Sequence, residues 1–394
     1  MTEATTAKPF HLSAGGPFSR LMVRMHVLGD DRYHGGLRIA LFLCLTWFPL
    51  FILSTLDGTL AGGIVNVPFL YDPNPQVLYL VVLPLLVAAE VIIDPLVGQV
   101  MQYLETSGLV PEEELPRYRA AVAEIARRRD SVRVESVLIA LAVGMSWFSY
   151  LEYGNVWLKE GLSSWAWRVT GDGVRITAAG WFCLSISLPF LKFLIYRWLW
   201  RFGIWVSFLR RISQLRLALL ATHSDRAGGL IILSRGQIGF TVLFTALAAI
   251  MSSELVKEIL YQGYKLAAAP PVIIGFVVFS VAALFGPLLF FTRQLVRTRR
   301  QAMLEYGALQ YQLSHDFHRH WIIGKAKDLV DSEQPSAMAD YNVVYGTVSS
   351  MHIVPLKPQA VILVALLLLV PFLPLLLTVY SITEILQRII STLV

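Results

Sequence analysis

The chain has 394 residues, of which 56% are hydrophobic and 15% charged, with a net charge of +6; its mean hydropathy is +0.60. Soluble globular chains carry about a quarter charged residues. The composition therefore excludes an ordinary cytosolic enzyme, a disordered chain and a nucleic-acid-binding domain, and fits an integral membrane protein.

Residues 1–37 read as a cytoplasmic arm whose first stretch, Met1–Gly16, is a poorly ordered start. The apolar segment after it is no cleavable leader: it is too long for an h-region and lacks a small-residue cleavage site. A spanning helix needs about 20 mostly apolar residues. Seven such windows occur, at 39–56, 77–100, 136–151, 176–196, 236–253, 268–292 and 359–380, the third being the least apolar. Alternate connections hold 26 of the 33 Lys and Arg, and the others hold 6. Basic residues collect on the cytoplasmic side, which predicts the N-terminus inside and the C-terminus outside. The fold class is an all-α polytopic membrane protein, 38–394 forming one seven-span domain.

Three insertions, 101–135, 197–235 and 293–358, lie on the basic side and are expected to pack into a helical cytoplasmic base. In the first, Glu112–Glu114 precede Pro116 and Arg127–Arg129 close the segment, the order a helix dipole favours. Tyr118, Val122 and Ile125 give it one apolar stripe. The fourth span has no proline from Leu191 to Thr222, so its helix continues past the bilayer, with Trp198, Trp200 and Trp205 among Arg197, Arg201, Arg210 and Arg211. The sixth continues likewise, with Tyr306, Leu309, Leu313, Phe317 and Trp321 on one face. The Arg clusters orient the chain and meet anionic lipid; no nucleic-acid partner is implied. On the opposite side, Trp157, Trp165 and Trp167 are expected to form an aromatic belt. Cys44 and Cys183 lie at different depths and predict no disulfide.

Glu90 and Asp94 are four residues apart, on one face of the second span. They lie roughly 20 and 26 Å in from Val77 at 1.5 Å per residue. Charge at that depth costs about 3 kcal/mol and calls for a partner or a water-filled cavity. Lys192 lies roughly 24 Å along the fourth span and is the expected counter-charge. Three readings follow: a buried ion pair that fixes packing, a site on a proton or cation pathway, or a lysine reaching for the interface. Pro84 and Pro95 bracket the acids and free backbone carbonyls.

The segment His223-Ser224-Asp225-Arg226-Ala227-Gly228-Gly229-Leu230 reads first as a tight turn with Asp225 as a cap, and second as acid–base or metal chemistry. His315 and His318 share a helix face and are weak metal candidates, since zinc sites take three or four ligands. Nucleotide-binding, hydrolase-elbow and zinc-protease motifs are missing from the sequence. No cofactor is implied, and the balance points away from an enzyme.

On His223–Leu230, Tyr306-Gly307, Ala339-Asp340 and the Pro374–Thr378 run, the chain resembles a group of uncharacterised bacterial polytopic inner-membrane proteins. That resemblance implies a bacterial inner membrane and carries over no functional residue. The span count and sidedness alone resemble the insect chemoreceptor ion channels. The expected function is a channel or transporter for a small ion or solute in the lipid bilayer, with Glu90 and Asp94 on the route and a homo-oligomer as one way to form it between subunits. The alternative is a non-transporting scaffold or sensor whose base binds a partner.

Overall fold

Lipid offers no partner for a bare N–H or C=O, so apolar segments of this length satisfy their backbone as helices. The computed structural model describes residues 10–24, 35–62, 64–170, 173–324 and 333–378. Among these, seven helices are long and apolar enough to cross a membrane. In chain order the elements are α1 (Gly16–Arg24), α2 (Gly35–Leu56), α3 (Pro73–Thr106), α4 (Leu115–Arg129) and α5 (Val132–Glu160). A short hairpin follows, β1 (Trp167–Thr170) and β2 (Gly173–Ile176), with Trp167 opposite Ile176 and Thr170 opposite Gly173. Then come α6 (Ala178–Ile212), α7 (Ile232–Tyr261), α8 (Leu266–Ile323), α9 (Glu333–Ser349) and α10 (Pro358–Leu376).

Each apolar window coincides with one of α2, α3, α5, α6, α7, α8 and α10. Helices α6 and α8 run well beyond their windows, as unbroken helix-forming sequence requires. The hairpin and an isolated bridge between Val67 and Ser164 depart from an all-helical reading. The far end of the predicted seventh span, together with Arg388 and the C-terminus, lies outside the described residues.

Hydrogen bonds gather the connections at two ends. At one, Val67 N–H reaches Ser163 O (3.1 Å) and Trp165 N–H reaches Val67 O (2.9 Å), while Tyr261 Oη–H reaches Tyr71 O (3.0 Å). This is the hairpin end. At the other, Ala218 N–H reaches Leu109 O (2.9 Å) and His352 N–H reaches Arg226 O (2.6 Å); Gln294 Nε2 donates to Ser213 O (2.7 Å). This is the basic end, where α8 and α9 pair through Tyr341 Oη–H to Tyr306 O (2.7 Å).

Helix α6 is the hub. Its Trp205, Phe208 and Leu209 are fully buried, along with Leu191 and Trp198. By contrast α10 exposes most of its Leu and Ile, and α2 exposes Leu37, Leu45, Phe48, Ile52 and Leu56, an outer face suited to lipid rather than protein. Trp165 does not join an aromatic belt: it is 5% exposed, and its Nε1–H donates to Asp72 Oδ2 at 2.9 Å. A buried indole needs such a partner, and the acceptor is supplied by the cap of α3 rather than by headgroups.

Two helices loosen at matching places. Leu83 N–H bonds back to Leu78 O and Leu188 N–H back to Cys183 O, five residues instead of four. Each of these wide turns immediately precedes a proline, Pro84 and Pro189. Proline lacks the N–H that would reach back four residues, and its ring clashes with that carbonyl. The helix widens there into one π turn.

Candidate functional site

Three places gather chemistry-bearing side chains. The first is a charge cluster on the basic-end side of the spans. Glu90 Oε2 lies 2.7 Å from Arg38 Nη1; its Oε1 lies 3.8 Å from Arg201 and 4.0 Å from Arg197. Arg197 Nε in turn lies 3.2 Å from Glu135 Oε1. Asp94 is fully buried and takes Ser13 N–H on Oδ1 at 2.8 Å and Ser13 Oγ–H on Oδ2. His11 Nδ1 is 3.9 Å from Oδ2. Three carboxylates thus face three arginines, which is how buried charge is tolerated.

Residues 10–24 close this cluster, although the sequence reads as loose there. Phe18 N–H donates to Glu135 Oε2 (2.9 Å), Arg197 donates to Gly15 O (3.3 Å), Arg201 donates to Ser13 O, and Arg129 donates to His11 O (2.5 Å). The Arg197 guanidinium sits 4.9 Å over the Phe18 ring, which itself packs on Phe42, Phe190 and Phe193. Gly15 and Gly16 have φ of +92° and +82°; a Cβ on Gly16 would sit 2.8 Å from Glu135 Oε1. Only glycine allows that approach. Residues 1–9 and 25–34 lie outside the described residues.

Lys192 is not the counter-charge of Glu90 and Asp94. Its Nζ donates to Met145 O (2.7 Å) and Ser149 Oγ (2.8 Å) on α5. Depth along a helix fixes a level, not a face. Lys192 and Arg201 are nine residues apart, about 180° around the axis at 3.6 residues per turn, whereas Arg197 and Arg201 share a face. The face that meets α3 carries the arginines.

The second place is a cavity of about 270 Å³ on the hairpin-end side. It runs from Asp72, Glu254 and Lys257 down to Lys192 and Ile195, between α3, α5, α6 and α7. Both π turns form its wall, and there Tyr79 Oη and Cys183 Sγ are hydrogen-bonded at 3.8 Å. Asp72 accepts Asn74 N–H (3.0 Å) and Trp165 Nε1–H, and lies 3.4 Å from Lys257 Nζ. Below the floor, Trp198 Nε1–H donates to Leu86 O at 2.9 Å. That bond ties α3 to α6 at the hairpin-side edge of the charge cluster, one turn before Glu90 and one residue after Arg197.

The third place is the turn before α7. Asp225 Oδ1 accepts Ala227 N–H (2.8 Å) and Gly229 N–H (3.1 Å), and Oδ2 accepts Ile231 N–H (3.1 Å). His223 Nδ1 lies 2.9 Å from Oδ1. Arg226, Gly228 and Gly229 all have positive φ, and Gly228 is packed under Leu219 and Met351. This arrangement ties the basic-end connections together. Burial pushes the Asp225 carboxyl up, yet the three N–H groups and His223 outweigh it and hold it below the usual carboxylate range. A carboxyl lowered in the folded state adds stability above its unfolded value of about 3.9, and that stability is lost as pH falls through the folded value. Asp225→Ala is expected to cost about 1–2 kcal/mol at neutral pH, read as a lower Tm by circular dichroism. The gap to the parent should close as the pH is taken below the carboxylate range.

His315 and His318 lie on the outer stretch of α8; His315 is 3.6 Å from Asp316, both largely exposed. Among the described residues no group of three His, Cys, Asp or Glu is placed to hold a metal. Comparison with protein families, curated proteins and solved structures finds no match.

Proposed function

We propose that this chain is a multi-pass membrane protein that moves a small solute or ion. Its N-terminus and basic end lie in the cytoplasm, its hairpin end and C-terminus outside, in a bacterial inner membrane. The sidedness rests on the distribution of Lys and Arg. One observation carries the transport reading. A cavity enters from the hairpin end to the level of Lys192, while the way out at the other end is covered by a separate segment, residues 10–16, held on ionised side chains. Ionisable groups within spans mark pathways, and a route open at one end and stopped at the other is a gated one. Neither Glu90 nor Asp94 lines the cavity; Asp94 holds the stopper through Ser13, and Glu90 holds the arginines that bind it. The cavity lies within a single chain, so the reading does not require a homo-oligomer.

A scaffold or sensor is favoured by a different observation: the charges of the cluster are matched within the fold, as a purely structural network would be. Flux separates the two. Purified protein in liposomes would be followed by stopped-flow swelling in glycerol, alanine, sodium acetate and potassium chloride, and by entrapped pyranine for protons. A chain lacking residues 1–14 is expected to pass at least one of these at least tenfold faster than protein-free liposomes. If neither it nor the parent does, transport is wrong and the scaffold stands.

A further inference from the structure

We infer that the hairpin-end cavity binds a small organic monoanion, a carboxylate with a compact apolar body, through the Lys192 ammonium. This rests on the cavity used for the transport reading, but not on transport itself. Three observations converge.

The first is charge. Lys192 lines the cavity about 21 Å along α6 from Ala178 at 1.5 Å per residue. Its two partners, Met145 O and Ser149 Oγ, are uncharged, and no ion pair among the described residues includes it. An ammonium at such depth calls for an anion. The two carboxylates that line the cavity, Asp72 and Glu254, lie at its mouth. Asp72 is already held by Asn74, Trp165 and Lys257. The deep half is left with one positive group.

The second is donor chemistry. Around Lys192 stand the Ser149 hydroxyl, the Tyr79 hydroxyl and the Cys183 thiol. Ser149 Oγ–H is given to Met145 O (2.8 Å), and Tyr79 and Cys183 share one proton between them; that pair keeps one further proton to donate, beside the ammonium, to an ionised carboxylate, which is acceptor-only. The third is shape. Leu78, Leu184, Leu188, Leu191, Ile195 and Ile250 supply the remaining wall. A site of about 270 Å³ is smaller than the 300–1,000 Å³ usual for drug-sized ligands, so the occupant is compact. The π turns in α3 and α6 shape this wall, and such turns recur at functional sites.

Calorimetry on the full chain in detergent would compare benzoate, neutral benzamide and cationic benzylamine. Benzoate should bind and the other two should not. Lys192→Met should weaken benzoate about 10- to 100-fold, as loss of a charge-assisted contact does, while Lys192→Arg should keep it within a few-fold. A second measurement needs no ligand. In a Cys44→Ser chain, Cys183 should react faster with an anionic methanethiosulfonate than with a cationic one, and Lys192→Met should abolish that preference. Benzamide binding as well as benzoate, benzoate binding that ignores Lys192→Met, or faster reaction with the cationic reagent would each overturn the inference. Lys192-dependent benzoate binding without any flux would sink transport and leave the anion site standing. Flux of another solute without benzoate binding would do the reverse.

Discussion

Replacing Ser13 with glutamate is expected to drive residues 10–14 off the charge cluster and raise solute flux at least tenfold. Ser13 gives Asp94 both its N–H and its hydroxyl, and its carbonyl takes Arg201. A glutamate there sets a second carboxylate against a fully buried one. Burying an unpaired charge costs several kcal/mol, and each 1.4 kcal/mol shifts a closed-to-open ratio tenfold. Helix α1 should stay in place, because Phe18 remains in its ring cluster with Phe42, Phe190 and Phe193. Gly15 and Gly16 provide the joint between the two. Ser13→Ala keeps the N–H but loses the hydroxyl bond to Asp94, so it should loosen the arm in the same direction and by less, about 1–3 kcal/mol. The movement is read separately from the flux by maleimide labelling of Leu12→Cys in a chain without Cys44 and Cys183, since Leu12 is fully buried. Parental labelling rates in the Ser13→Glu chain would refute arm release. Fast labelling with unchanged flux would refute the gate.

The arm shows where sequence reading stops. The seven long apolar helices were legible because each depends on its own run of apolar residues. The Asp225 turn was legible because its acceptor and donors lie within six residues. The seat of residues 10–16 depends on groups more than 80 positions away, and nothing in Phe10–Gly16 announces them except the Gly15-Gly16 pair. Glu90 and Asp94 were legible as groups that need partners. The partners were not, because hydropathy gives depth and leaves rotation about the axis open. Arg197 and Arg201 read as positive flanks of a span, yet α6 continues inside the protein and they are 5% and 2% exposed. Trp165 was assigned to headgroups for the same reason: a tryptophan near a span end fits either lipid or a buried acceptor, and Asp72 decides it. The hairpin had a local signal in Gly171-Asp172 between Thr170 and Gly173, a glycine-first pair of the kind two-residue β-turns favour. Of three Leu-Pro-x-Leu runs, Leu83–Leu86 and Leu188–Leu191 follow π turns while Leu373–Leu376 lies in a 3-10 stretch, so the motif alone did not mark the cavity wall.

Glu90→Gln tests what holds the cluster shut, and it should be among the most destabilising single changes in the protein. The carboxylate is the shared acceptor of Arg38, Arg197 and Arg201. Removing its charge leaves Glu135 and Asp94 against three guanidinium groups, with Arg38, 6% exposed, facing a neutral amide where its 2.7 Å ion-pair partner stood. Losing one member of a buried pair typically costs about 3–5 kcal/mol. The expected result is a large fall in the thermal unfolding midpoint in detergent. Adding Arg38→Met should restore much of it, because the pair is then removed together and a methionine fills the space beside Phe42. The resulting double-mutant cycle should show a coupling of about 1–3 kcal/mol. Lys192→Met supplies the contrast: that ammonium gives up only a carbonyl and a hydroxyl, so its loss should leave the midpoint nearly unchanged or raise it. If Glu90→Gln unfolds no earlier than Lys192→Met, the arginines are satisfied elsewhere and the cluster does not hold α2, α3 and α6 together. If it unfolds early and Arg38→Met does not rescue it, the charge is borne by Arg197 and Arg201 rather than by the closest pair.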